Sequence, residues 1–178
     1  MVKLENSSNK KKIGILGGTF DPAHKGHLAI SKEAIKKFNL KYVIWAITKR
    51  SPFKNKSQST LKKRIFSCKK IINKNKLIKI KYYDDLIKSN KTVDLINHLS
   101  TNKKVELYFL MGADNLINFH KWYKWKLISQ KCKILVFDRH GYKKKSLNSK
   151  AFKHLDKKQI TFVEFEIVNI SSSQLRKI

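Results

Sequence analysis

At 178 residues, with 41% hydrophobic content and ten Phe, six Tyr and three Trp, the chain can build one cored domain and is too aromatic to be disordered. Its net charge of +29 comes from 37 Lys and 4 Arg spread from end to end. A nucleic-acid reader would concentrate arginine, whose planar fork pairs with phosphate and guanine, so the charge reads as a solvated surface that speeds encounter with anionic nucleotides, and no specific nucleic-acid partner is expected. Cys68 and Cys132 stand far apart, which excludes a disulfide scaffold or zinc ribbon. The sequence has neither a secretion-type apolar stretch nor a run of about 18 apolar residues, so a cytoplasmic protein without membrane contact is expected.

A polar tail (1–11) precedes Ile13–Leu16, a buried strand that breaks at Gly17-Gly18. Apolar residues at helical spacing predict a helix over Gly26–Phe38, and Tyr42–Ile47 is a β-rich run. A polar loop through Ser59 leads to a helix over Leu61–Ile72. A weak strand over Leu77–Ile80 and a short helix over Thr92–Leu99 follow. Val105–Met111 is a buried strand ended by Gly112, with helical segments at Asp114–Phe119 and Trp122–Ile128. Ile134–Phe137 is a strand, followed by a polar loop holding the Lys143–Lys145 run. Phe162–Ile167 is the last strand, and Ser171–Lys177 a closing helical turn. Alternating strands and helices predict one Rossmann-like α/β domain over 1–178, a mostly parallel sheet with helices on both faces. In such sheets ligands bind beyond the carboxyl ends of the strands, so the loops after each strand carry the functional expectations.

The first of these loops reads Gly17-Gly18-Thr19-Phe20-Asp21-Pro22-Ala23-His24-Lys25-Gly26-His27. Paired glycines allow positive φ and close ligand approach, and the following helix start offers unpaired N–H groups to phosphate. His24 and His27, three residues apart, can both donate to phosphoryl oxygens. Near the other terminus, Ser171-Ser172-Ser173 before Arg176 offers hydroxyls, backbone N–H groups and a guanidinium clamp for an anion. Neither a Walker A motif nor a G-x-G-x-x-G fingerprint is present.

Together, G-G-T-F-D-P-x-H-x-G-H and Ile170-Ser171-Ser172-Ser173-Gln174-Leu175-Arg176 resemble the signatures of the nucleotidyltransferase superfamily, in its nicotinate/nicotinamide mononucleotide adenylyltransferase version. Three further stretches resemble the bacterial nicotinate-mononucleotide branch. Thr48-Lys49-Arg50-Ser51-Pro52-Phe53-Lys54 resembles a T-P-x-N-P-x-K loop in which Lys49 replaces the first Pro and Ser51 the Asn, with Lys54 available for a phosphate. Tyr108–Leu116 continuing through Phe119–Trp125, with Met111-Gly112-Ala113-Asp114 and Trp122-Tyr123 within it, is the fullest match, and Arg139-His140-Gly141-Tyr142 resembles R-P-G-Y with His140 in place of the Pro. Thr92-Val93-Asp94 resembles a Y-T-x-D-T element in which Lys91 replaces the Tyr.

The resemblance implies in-line attack of nicotinate mononucleotide on the α-phosphorus of ATP, giving nicotinate adenine dinucleotide and pyrophosphate. The nucleophile is already an anion, so catalysis rests on positioning and charge stabilisation, with Mg²⁺ carried mainly by the ATP phosphates. His24, His27 and Arg176 are then the catalytic residues. Gly17, Gly18, Thr19, Phe20, Lys54, Ser171, Ser172 and Ser173 would hold ATP and its phosphates, and Thr92, Asp114, Trp122, Tyr123 and Arg139 the mononucleotide. Nicotinamide mononucleotide or phosphopantetheine as acceptor are the alternatives within the superfamily.

Overall fold

The computed structural model describes residues 10–50 and 57–164. Six strands form one sheet in the order β3-β2-β1-β4-β5-β6, every pair parallel. They are β1 (Lys11–Gly18), β2 (Tyr42–Ile47), β3 (Ile78–Tyr82), β4 (Val105–Gly112), β5 (Lys133–Phe137) and β6 (Ile160–Val163). The expected Rossmann-like arrangement is therefore present.

Strand alternation divides the core in two. Ile13 and Ile15 of β1, Phe109 and Met111 of β4, and Ile134 and Val136 of β5 face one layer. That layer contains α4 (Thr92–Ser100), α5 (Ala113–Asn118), α6 (Trp125–Lys131) and α8 (Lys150–His154). Leu16, Trp45, Leu110 and Phe137 face the other layer, built from α1 (Lys25–Phe38) and α2 (Leu61–Ile72). Burying each large side chain of this kind contributes about 1.5–3 kcal/mol, so runs such as Tyr42–Ile47 suit a sheet covered on both faces.

Gly14 explains why β1 approaches its neighbours so closely. A Cβ there would lie 2.8 Å from Val43 Cγ2 and 2.9 Å from Leu40 Cδ1. Only hydrogen fits.

Several sequence expectations shift. The strand does not break at Gly17-Gly18, because both glycines continue β1 beside Ala46 and Ile47 of β2. β1 also begins at Lys11, one residue inside the expected tail. The helix expected over Trp122–Ile128 starts only at Trp125: Phe119–Lys121 is a 3-10 turn, Trp122 is extended, and Lys124 is left-handed at φ 49°. The Lys143–Lys145 run is helical rather than loop, opening α7 (Lys143–Leu147), and Ser149 Oγ caps α8 by accepting from Phe152 N–H at 3.2 Å. A four-residue helix, α3 (Asp84–Ile87), follows β3. β6 spans Ile160–Val163, and residues 165–167 of the expected last strand lie outside the described residues.

Candidate active site

The strand order reverses direction between β1 and β4, since β1 leads outward through β2 and β3 while β4 leads the other way. At such a switch point the loops beyond the carboxyl ends diverge and leave a crevice. The register of β1 with β4 ends at Leu16–Leu110, so Gly17 lies beyond the paired residues and is exposed.

The loop from β1 to α1 turns at Phe20, the left-handed residue of the segment at φ 49°. Neither Gly17 nor Gly18 uses the positive φ that glycine allows; among the described glycines only Gly141 does. A phenylalanine is held in this costly conformation because its ring is well packed. It is 2% exposed, stacked on Trp45 at 5.0 Å between centroids and tilted against His27 at 4.8 Å. Phe20 thus contributes a buried ring at the base of this loop.

His24 and His27 begin α1 as a reciprocal cap. His24 Nδ1 accepts from Gly26 N–H at 3.1 Å, and His27 Nδ1 accepts from His24 N–H at 3.2 Å. This is the capping-box arrangement executed with imidazoles. The two ring centroids are 3.8 Å apart. Because each Nδ1 accepts, a neutral ring must carry its proton on Nε2, and both Nε2 atoms are donors. The helix is anchored below by Ser31, whose hydroxyl donates to His27 O and accepts from Trp45 Nε1–H, both at 2.8 Å.

Asp114 opens α5 at the end of β4, and Arg139 follows β5. Arg139 Nη1 donates to Asp114 Oδ2 at 2.6 Å. Asp114 Oδ1 is buried and has no hydrogen-bond partner among the described residues. A buried carboxylate oxygen without a donor is costly, which suits a site that a ligand hydroxyl or N–H completes. Gly112 makes room for it, since a Cβ there would sit 2.5 Å from that oxygen. Arg139 and Asp114, both expected from the sequence to hold the mononucleotide, are thus joined to each other.

Thr92 is the first residue of α4, and Lys91 at its N-cap reaches over the exposed Tyr123 ring, 4.2 Å from the centroid. Trp122 is half-buried, edge-on to Phe109 and Phe119. Thr92 and the Trp122–Tyr123 pair are thereby brought to one corner. Lys54, Ser171, Ser172, Ser173 and Arg176 lie outside the described residues.

Two residues that sequence reasoning missed tie the loops together, Asp21 and Arg64, each 3% exposed. Asp21 Oδ2 accepts from Gln58 N–H at 2.7 Å and Ser59 N–H at 3.3 Å. Arg64 donates to carbonyls of the β1 and β2 loops. Beside them Asp84 Oδ2 accepts from Thr48 Oγ1 and Lys49 N–H at 2.7 and 2.8 Å, fastening the β2 loop to α3. The only advance signal was an Arg, followed by Ile65 and Phe66, in a helix of a chain that otherwise mostly uses Lys.

Residues 15–178 match the cytidylyltransferase-like family model. A probable nicotinate-nucleotide adenylyltransferase of Pelagibacter ubique (strain HTCC1062) is 64% identical over 180 residues, covering 100% of both chains. Plasmodium falciparum nicotinic acid mononucleotide adenylyltransferase complexed with NaAD superposes with a TM-score of 0.76 at 20% identity, covering 94% of this chain and 83% of that one. The same parasite protein complexed with APC gives 0.77 at 19% identity over the same shares. The chain belongs to the cytidylyltransferase-like family of nucleotidyltransferases and, within it, to the nicotinate-nucleotide adenylyltransferases.

Proposed function

We infer that the protein transfers the adenylyl group of ATP to nicotinate mononucleotide, making nicotinate adenine dinucleotide and pyrophosphate. The mononucleotide phosphate oxygen forms a bond to the α-phosphorus as the bond to the pyrophosphate oxygen breaks. No proton needs to be removed from the nucleophile, so the work of the site is alignment and charge stabilisation. The observation that carries this reading is the histidine pair. Two Nε2–H donors, locked by backbone hydrogen bonds at the start of a 14-residue helix, suit the negative charge that builds on α-phosphate oxygens.

Gly17, Gly18 and Thr19 would let the triphosphate lie close to the backbone, and Lys54, Ser171–Ser173 and Arg176 are the further residues proposed to hold it. Asp114 Oδ1 would accept from a nucleotide hydroxyl or amino group, and Thr92, Trp122, Tyr123 and Arg139 would frame the mononucleotide. Among the described residues no group of three or more His, Cys, Asp or Glu is arranged to hold an ion. Mg²⁺ would therefore enter on the ATP phosphates and neutralise their charge, with phosphate and water oxygens as its ligands. No described helix is long and apolar enough to cross a membrane, and both cysteines are free and buried, which supports a reducing cytoplasmic setting.

The test is direct: purified protein with ATP, Mg²⁺ and nicotinate mononucleotide, following dinucleotide by chromatography and pyrophosphate by a coupled assay. Nicotinamide mononucleotide and phosphopantetheine run in parallel. Dinucleotide from the nicotinate substrate, at the highest kcat/KM of the three, is expected. Preferential use of either other acceptor would overturn the substrate assignment, and turnover of none would overturn the activity.

A further inference from the structure

Arg64 is a buried cation in a part of the molecule where an apolar residue would cost nothing to desolvate. Its guanidinium spends its donors on backbone carbonyls from separate loops. Nη1 donates to Thr19 O at 2.6 Å and to Thr48 O at 2.7 Å, Nε to Ser59 O at 3.2 Å, and Nη2 to Lys49 O at 3.5 Å. The loops after β1 and β2 thus meet on one planar fork. Thr48 N–H donates to Gly18 O at 2.9 Å, and Asp21 receives Gln58 and Ser59 N–H groups, which close the same junction from its other side.

The Thr19 carbonyl belongs to the peptide plane that also contains the Phe20 nitrogen. Holding that carbonyl fixes one side of the φ rotation at Phe20, the residue whose φ of 49° folds its ring inward. That ring is the surface on which His27 rests, and His27 in turn accepts the His24 N–H. A rigid series of contacts therefore joins a guanidinium on α2 to the imidazoles on α1.

We propose that Arg64 is a positioning residue for adenylyl transfer: through the Thr19–Phe20 peptide it sets the ring against which the His27 imidazole is aligned. This rests on the function inferred above. Lysine cannot replace it, because a point-like ammonium lacks the flat fork that reaches several carbonyls at once. Small misplacements of reacting groups cost far more in rate than in binding, so the loss belongs in kcat.

The experiment compares wild type, Arg64→Lys and Arg64→Ala with ATP, Mg²⁺ and nicotinate mononucleotide, each well below its own melting midpoint and with folding checked by circular dichroism. In Arg64→Lys, kcat is expected to fall about tenfold to 10²-fold, with both KM values within about threefold of wild type. Low-millimolar guanidinium is expected to restore part of the Arg64→Ala rate. A folded Arg64→Lys with kcat within about twofold of wild type overturns the proposal, whatever its melting temperature. Should neither Arg64 variant fold, Phe20→Leu interrupts the same series of contacts, and an undiminished kcat there overturns it equally. An inactive wild type would defeat the underlying activity, an outcome distinct from active wild type with an indifferent Arg64→Lys.

Discussion

α1 and α2 pack on the same face of the sheet and both start at its carboxyl edge, yet they begin in chemically different ways. α2 has an ordinary hydroxyl cap, Thr60 Oγ1 accepting from Lys63 N–H at 3.3 Å. α1 uses two histidines for the same purpose, and each ring carries an Nε2 besides the Nδ1 that serves the helix. Stability alone would be met by Ser, Thr, Asp or Asn. An imidazole in a capping role therefore adds a donor whose tautomer and direction are set by the fold, which is what a developing phosphoryl charge requires.

The two helix starts should consequently fail in different ways when their caps are removed. His24→Ala is expected to lower kcat on the order of 10²-fold while costing about 1 kcal/mol of stability; steady-state kinetics and thermal melts on one preparation give both numbers. Gly14→Ala, which presses a methyl against Val43 and Leu40, should destabilise by about 1–3 kcal/mol and leave kcat unchanged. Thr60→Ala should cost about 1 kcal/mol in a denaturant melt, again with kcat unaffected, and a catalytic loss there would erase the contrast between the helices.

The smallest effect concerns the cysteines. Burial pushes the Cys68 and Cys132 thiols up to about 12 from an ordinary 9.0. Between those values the folded chain keeps protons that the unfolded chain loses, so their contribution to stability is fully present below pH 9.0 and declines as pH rises towards 12. Iodoacetamide at about pH 8 should leave both unlabelled in the native protein and label both in denaturant. Rapid native labelling of either would show that the core beneath α2 or β5 opens readily.

Much of this fold was legible because β2 and α2 announce themselves by pattern. Tyr42–Ile47 is a continuous apolar, β-branched and aromatic run, and Leu61–Ile72 turns Leu61, Ile65, Cys68, Ile71 and Ile72 to the core while Phe66, expected on the same side, is exposed; both elements match the expected bounds. The α7–α8 region was hidden because a run of lysines has no apolar period to read, and its helices are short turns held by caps and by buried Ser146 and Ala151. Glycine is the residue that tolerates positive φ, yet in the first loop it falls on Phe20, where packing against Trp45 overrides local preference. His24, His27, Asp114 and Thr92 stood out as residues just beyond strand ends or at helix starts, and all are found at the carboxyl edge of the sheet. Arg64 did not, because its hydrogen-bond acceptors are main-chain carbonyls, which leave no mark in a sequence, and Asp21, although part of the first signature, has no role expected from the sequence.

The role of the histidine pair is tested most directly by His27→Gln in single-turnover and steady-state kinetics. Glutamine at the third helical position is the usual partner in a capping box, so it can keep the bond to the His24 N–H and hold α1 intact while removing the imidazole. A melting temperature close to wild type, near-normal KM values and a rate reduced on the order of 10²-fold are expected. A His27→Gln protein that turns over ATP and nicotinate mononucleotide as fast as wild type would contradict the account, leaving the imidazole as a helix cap and nothing more.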